Sequence, residues 1–410
     1  MRKFLVFIFT LTIFNGLSAQ VKTGIETLRD DQFKALEGKK VGLITNPTGV
    51  DSNLKSTVDI LYEAPNVNLV ALYGPEHGIR GNVTAGGLIG DTIDSQTGLP
   101  VYSLYGKNKK PSREILRGIN VLVYDIQDIG CRSYTYISTL GLAMEAAAEN
   151  GIEFVVLDRP NPLGGEKFEG SPNIEPDLVS FVSQFPVTYV HGFTVGELAG
   201  FLNGEKLLKN GIRCNLKVIK MQGWERKMNF KATGLPWVLS SPHIPRAETA
   251  YFYAASGILG ELYSFNIGIG YTLPFELFAT EWIDSEKLTA KLNGLKIPGV
   301  RFRPIHYKPY YGSQKDINLH GVQPYITDAD KIPLTLIQFY VLQECYKLYP
   351  KKNVFSLCEP ARLTMFDKVC GTGRIRKTFS KSFTVKSIQE IWNKDVDNFK
   401  KKAKKYFLYI

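Results

Sequence analysis

The residues best suited to chemistry fall in four short polar stretches. Glu76, His77 and Arg80 share GPEHGIRG (74–81), and Asp125, Asp128 and Arg132 share DIQDIGCRSYTY (125–136). Asp158, Arg159 and Asn161 share DRPNPLGG (158–165), and Asn46 sits in TNPTGVD (45–51). Cleaving a glycosidic bond needs one carboxyl group held protonated as acid, and a second carboxylate or the substrate's own amide to assist attack at the sugar carbon. Glu76, between Pro75 and His77 at the end of an apolar run, is the acid candidate, because partial burial is how a carboxyl group stays protonated near neutral pH. Asp125, Asp128 and Asp158 are the candidates for its partner, and Asp128 is placed first. Arg80, Arg132 and Arg159 offer planar forks for a carboxylate-bearing substrate. Tyr134, Tyr136 and Trp237 have the faces to stack on sugar rings. A plainer role competes in each case: Asn46 and Asp158 also suit turn shaping, and Arg132 suits pairing with Asp128.

Other chemistries find less support. No strand-like run leads into GxGxxG or GxxxxGK[ST], and GTGRIRK (371–377) lacks both the preceding strand and the spacing, so no nucleotide cofactor is expected. There is no GxSxG, and Cys131 stands isolated. His77, Asp125, Asp128 and His191 are the available metal donors, but without HxH, HExxH or a dense Asp cluster no metal is expected. A metal-dependent hydrolase is therefore kept only as an alternative.

These residues need a scaffold that brings them together. KVGLIT (40–45), VNLVALY (67–73), NVLVYD (120–125) and EFVVLD (153–158) are continuous apolar runs, the pattern of strands buried on both faces. Helical patterns alternate with them: STVDILYEA (56–64), SREILRG (112–118) and YISTLGLAMEAAAENG (136–151), the last stopped by Gly151. Such alternation specifies an α/β layered domain with a mostly parallel sheet. Ligands of these sheets sit beyond the carboxyl ends of the strands, and all four polar stretches begin there, so one rim would gather them.

Further along, Thr194 before VGELAGFLN starts a helix and Glu197 completes its capping box, which makes Glu197 structural. His191, in the turn before, is read as facing the cleft. LKVIKMQGW (216–224) reads as a strand, and GLPWVLSSPHIPRAETAYFY (234–253) as a Pro-rich connection entering a helix. LYSFNIGIGYTLPFELFATEWID (262–284) has no helical period, IPLTLIQFYVLQECYKLYP (332–350) has one, and the tail reads as one helix with an aromatic end. The domains are placed at 21–240 and 241–410, the second a smaller α+β unit.

A chain of 410 residues that is 44% apolar can bury a large core in two domains. Its net charge of +11 owes much to KKKAKK (400–405), which reads as the solvated side of a helix, so no nucleic-acid partner is expected. Residues 1–20 have a basic start, an apolar stretch and small residues before Gln20, the layout of a secretory signal. The mature chain is accordingly expected to be exported, periplasmic, and free of integral membrane segments. Five widely spaced cysteines without a CxxC pair read as buried thiols, with one disulfide among Cys345, Cys358 and Cys370 left open.

Taken together, VGLITNPTGVD, LYGPEHGIRG, YDIQDIGCRSYTY, LDRPNPLGG, HGFTVGELA and the closing YFLYI resemble the exo-β-N-acetylmuramidases of the NamZ type across essentially the whole mature chain. That resemblance implies a Rossmann-like domain joined to a smaller auxiliary domain, with the active site in the cleft between them. It also implies release of N-acetylmuramic acid from the non-reducing end of peptidoglycan fragments. By motif position Glu76 is catalytic, and His77, Asp128, Arg132, Tyr134, Asp158, Arg159 and Asn161 line the pocket. The lactyl carboxylate of muramic acid would give the arginines their purpose. SPHIP (241–245) puts His243 where many relatives have Asn, and NIGIGYT (266–272) puts Ile267 and Ile269 where many have a carboxylate and an arginine. The alternative from another class is a non-catalytic muropeptide-binding protein using the same rim.

Overall fold

The structure is a computed structural model and describes residues 20–81, 92–312 and 314–410. The expected signal segment, Gln20 apart, lies outside the described residues. Seven strands form the first sheet: β1 (Lys40–Thr45), β2 (Asn68–Gly74), β3 (Thr92–Ile93), β4 (Pro100–Ser103), β5 (Val121–Asp125), β6 (Glu153–Leu157) and β7 (Leu216–Ile219). They lie in the order β3-β4-β2-β1-β5-β6-β7, and every pairing is parallel except β3 with β4. Without β3, the parallel strands run third, second, first, fourth, fifth, sixth in chain order, the doubly wound Rossmann arrangement. The central strands are apolar along their length because both faces are covered; all five residues of β5 are buried.

The helices Thr57–Glu63, Tyr136–Glu149 and Val195–Gly204 form where the sequence pattern places them. Thr194 and Glu197 make the expected capping box. The helix expected at 112–118 does not form, and residues 113–118 are turns. Six residues between Pro111 and Gly118, whose φ is +81°, are too few to offset the cost of nucleating a helix.

The second half carries a three-stranded antiparallel sheet, β8 (Phe278–Thr280), β9 (Val300–Tyr307) and β10 (Leu319–Ile326), ordered β8-β10-β9. Helix Ser285–Gly294 packs on β9 and β10, helix Ile337–Leu348 packs against it, and helix Thr249–Gly260 packs against Ile337–Leu348. The tail is two helices, Val385–Trp392 and Val396–Ala403, broken where Asp395 takes a left-handed φ of +62°. The halves share a core: Ile129, Cys131, Leu163, Tyr189 and Val190 of the first cluster with Ile258, Phe278, Phe339 and Trp392 of the second. All five cysteines are free thiols. Among the described residues no helix is long and apolar enough to cross a membrane.

After its last helix the chain returns to the first domain as a strap. Tyr406 donates to Glu205 (2.8 Å), the Leu408 N–H to Glu197 (2.9 Å) and the Tyr409 hydroxyl to Asp158 (2.6 Å), while the Ile410 carbonyl accepts from the Arg226 N–H (3.0 Å). The Arg226 guanidinium lies 3.3 Å from the centre of the Phe407 ring and also grips Glu197 through both carboxylate oxygens.

Candidate active site

β2 ends at Gly74, and the chain reverses at once through Pro75–Gly78, closed by the Gly78 N–H on the Pro75 carbonyl at 3.0 Å. His77 and Gly78 both have φ of +73°. A left-handed histidine costs roughly 1–2 kcal/mol, and such strain gathers where a side chain must be presented in a set direction. Glu76 is thereby turned into a cleft of about 780 Å³ between the two halves, with the largely buried His77 beside it.

The cleft has a wall from each half. Tyr105, in the loop after β4, hydrogen-bonds Glu76; burial first, then the charge of Glu76, pushes its phenol up to about 12, so it keeps its proton and acts as donor. Tyr134 and Tyr136, at the start of the helix after β5, meet edge to face at 4.8 Å, and Tyr134 meets Tyr253 of the opposite wall at 5.6 Å. Their hydroxyls fix the crossing segment, Tyr134 on the Ser240 Oγ (2.8 Å) and Tyr136 on the Ser240 carbonyl. The far wall contributes a carboxyl group that sequence reasoning missed. Glu261, just past helix Thr249–Gly260, lines the cleft with its carboxyl raised by burial, and Arg362, 3.9 Å away, only partly opposes that rise.

Most of the other expected site residues are committed elsewhere. Arg159 grips Asp125 through Nε (2.5 Å) and Nη2 (2.9 Å), and Asp125 also accepts from Thr57, so this pair ties the carboxyl ends of β5 and β6 together. Asp158 is fully buried and accepts from the Arg159 and Gly196 N–H groups and the Thr194 and Tyr409 hydroxyls. Burial nevertheless raises its carboxyl to about 7, against the pull of those donors. Asn161 shapes its loop by accepting from Leu163 N–H and donating to the Phe193 carbonyl.

Arg132 is only 1% exposed and donates to four backbone carbonyls, those of Ser171, Val187, Val369 and Cys370. Burial lowers its guanidinium to about 10. It joins the two halves and offers no fork to a ligand. Arg80 points away from the cleft, forked onto Asp94 at 2.9 and 3.0 Å with Asp59 nearby.

Asp128, expected as the second catalytic carboxylate, does not line the cleft. Its Oδ2 accepts from the Gly130 N–H (2.7 Å) and faces His191 (3.2 Å), and its buried Oδ1 has no partner among the described residues. The Phe193 N–H donates to His191 Nδ1, leaving Nε2 to carry the proton toward Asp128. His191 is thus a buried support and not a cleft residue. Asn46 accepts from Thr48 through its side-chain oxygen and lies beside Tyr136, its buried amide nitrogen having no hydrogen-bond partner among the described residues.

His243 does not line the cleft, but it lies close enough to His77, which does, to feel its charge. Burial and then neighbouring His77 lower its imidazole, and it stacks on Tyr311 with its Nε2 2.9 Å from the hydroxyl. The segment containing Ile267 and Ile269 meets the same region, since the Gly270 carbonyl accepts from the Tyr310 N–H. Trp237 lies away from the cleft, its indole N–H on the Ile244 carbonyl.

Besides Glu261, the residues missed are Tyr105, Lys109 and Lys368, all facing the cleft. Tyr105 and Lys109 follow a parallel strand, so reading β4 as a strand would have found them by the rule that found Glu76. Glu261 and Lys368 carry no local signal. Among the described residues no three His, Cys, Asp or Glu side chains converge as metal ligands. Two carboxyl groups on facing walls, a phenol donor and aromatic faces equip the cleft for acid-assisted cleavage of a glycosidic bond.

Comparison with known proteins agrees with that chemistry. Residues 41–248 match the family described as exo-beta-N-acetylmuramidase NamZ, N-terminal, and residues 251–409 match its C-terminal counterpart. The chain is 46% identical over 390 residues to the peptidoglycan beta-N-acetylmuramidase NamZ of Bacillus subtilis (strain 168), covering 95% of this chain and 92% of that one. A DUF1343 family protein from Bacteroides fragilis NCTC 9343 has a crystal structure that superposes with a TM-score of 0.92 at 57% identity, covering 95% of this chain and 99% of that one. A second DUF1343 protein of the same strain gives 0.74 at 28% identity, with the same coverage.

Proposed function

We propose, from the premise that this chain belongs to the exo-beta-N-acetylmuramidase NamZ family and is a glycoside hydrolase, that it releases N-acetylmuramic acid from the non-reducing ends of peptidoglycan fragments. The work is done after export, in the periplasm, as a step of cell-wall turnover and recycling; the signal-like layout of residues 1–20 supports that setting. One observation carries the mechanism: of the carboxyl groups in the four polar stretches, Glu76 is the one that lines the cleft.

Glu76 gives its proton to the glycosidic oxygen as the bond from that oxygen to the sugar C1 breaks. The Tyr105 phenol stays bonded to the carboxylate left behind and steadies its charge. Attack at C1 is assisted from the opposite wall by Glu261 or by the sugar's own 2-acetamido group, and water completes the hydrolysis. Buried Asp128 and His191 hold the Gly130–Tyr136 wall in place from behind.

The test is mass spectrometry of products after incubation with a muramic acid–glucosamine disaccharide bearing muramic acid at its non-reducing end. Equimolar free N-acetylmuramic acid and N-acetylglucosamine are expected. Disaccharide recovered intact across the pH range would refute the proposal.

A further inference from the structure

A muramic acid residue differs from a glucosamine residue by a lactyl ether that carries a carboxylate. The arginines that sequence reasoning assigned to that group are taken: Arg80 by Asp94, Arg159 by Asp125, and Arg132 by four carbonyls. A cleft that receives an anion still needs cations of its own.

Two lysines line it, one from each half. Lys109 follows β4 on the wall of Glu76 and Tyr105, with its Nζ 4.8 Å from the centre of the Phe181 ring, which also lines the cleft. Lys368 lies in the last turn of helix Pro360–Cys370, one turn after Met365, and both side chains face the cleft. Both lysines are partly buried, and neither forms an ion pair with a carboxylate among the described residues. Their neighbours differ: Lys110 is bridged to Glu149 at 2.7 Å, and Asp367 is held by Arg376 at 2.6 Å. Partly desolvated ammonium groups without a carboxylate partner are poised to gain from an incoming anion, because an ionised partner makes the stronger class of hydrogen bond.

We infer that Lys109 and Lys368 together receive the lactyl carboxylate of the muramic acid residue and set the preference of the cleft for muramic acid over glucosamine. This rests on the proposed function and names how that same site selects its substrate. The carboxylate takes no part in bond cleavage, so the contact is the same in ground and transition states. Losing a lysine should therefore raise KM and leave kcat nearly unchanged.

The experiment is calorimetric titration of the whole protein with N-acetylmuramic acid and with its lactyl methyl ester, for the unaltered chain, Lys109→Met, Lys368→Met and the double variant. The unaltered chain should bind the acid about 10- to 100-fold more tightly than the ester, a preference that shrinks with added salt. Each single variant should lose part of that preference and the double variant all of it, with ester affinity staying within about 3-fold throughout. Equal affinity of the unaltered chain for acid and ester overturns the inference. So does a lysine variant set that weakens acid and ester alike, or neither. Disaccharide hydrolysis, followed in parallel, separates the two readings. Preference for the acid without hydrolysis defeats the proposed function and keeps the lysines; hydrolysis without that preference does the reverse.

Discussion

The loops after β5 and β6 and those after β2 and β4 share one sheet edge but differ in where they send their polar side chains. After β5 and β6, Asp125 meets Arg159, Asp158 meets Thr194 and the partly buried Tyr409, and Asp128 meets His191; all three carboxylates are buried. After β2 and β4, Glu76, Tyr105 and Lys109 face an open cleft. Position at the carboxyl end of a parallel strand therefore selects residues for the rim without saying which of them meet a ligand. What sets the second group apart is that its side chains line the cleft. Polar groups that are buried and satisfied inside the protein build the floor, and those that line the cleft are in position to meet a ligand.

Three substitutions probe that contrast. The largest effect belongs to the floor. Arg159→Met leaves Asp125 buried without its cation and should cost about 3–5 kcal/mol in urea unfolding. Should the folded fraction of that variant also lose turnover as steeply as a Glu76 variant, the floor would not be separable from the site. Next, Glu76→Gln should lower kcat on a chromogenic N-acetylmuramic acid glycoside by roughly 10²-fold or more while the unfolding midpoint barely moves. Turnover close to that of the unaltered protein would take Glu76 out of the mechanism.

The smallest effect is a slope. Burial raises the Asp158 carboxyl from its ordinary 3.8 to about 7. Between those values the folded chain keeps a proton that the unfolded chain releases, so stability falls as pH rises through the window and levels off above it. Asp158→Asn should flatten that decline, which amounts to at most about 1.4 kcal/mol per pH unit. An unchanged slope in urea unfolding from pH 4 to 7 would mean that the four donors hold Asp158 ionised throughout.

What the sequence disclosed was local. Four core strands, the capping box at Thr194 and the presentation of Glu76 all follow from periodicity and from what succeeds a strand. Pairing across distance left no such trace. Asp158 finds Tyr409 at a separation of 251 residues, and Arg132 finds the carbonyls of Val369 and Cys370 at 237 and 238. Nothing near Arg132 distinguishes a fork for carbonyls from a fork for a carboxylate. β4 escaped notice because four residues starting at Pro100 carry too little pattern, and Tyr105 and Lys109 were lost with it. The helix expected at 112–118 shows the converse, a periodic stretch too short to hold its shape.

The strap formed by Tyr406–Ile410 bears on how the molecule is made. A ribosome delivers the sheet and its helices first, and the residues that close over Asp158, Glu197 and Arg226 emerge only after the entire second half. At about 5–20 residues per second that interval is on the order of ten seconds or more. Throughout it the first half waits with an open seam. Cutting the gene between the two matched families would make that wait permanent, so the halves are better regarded as one interlocked object than as exchangeable modules.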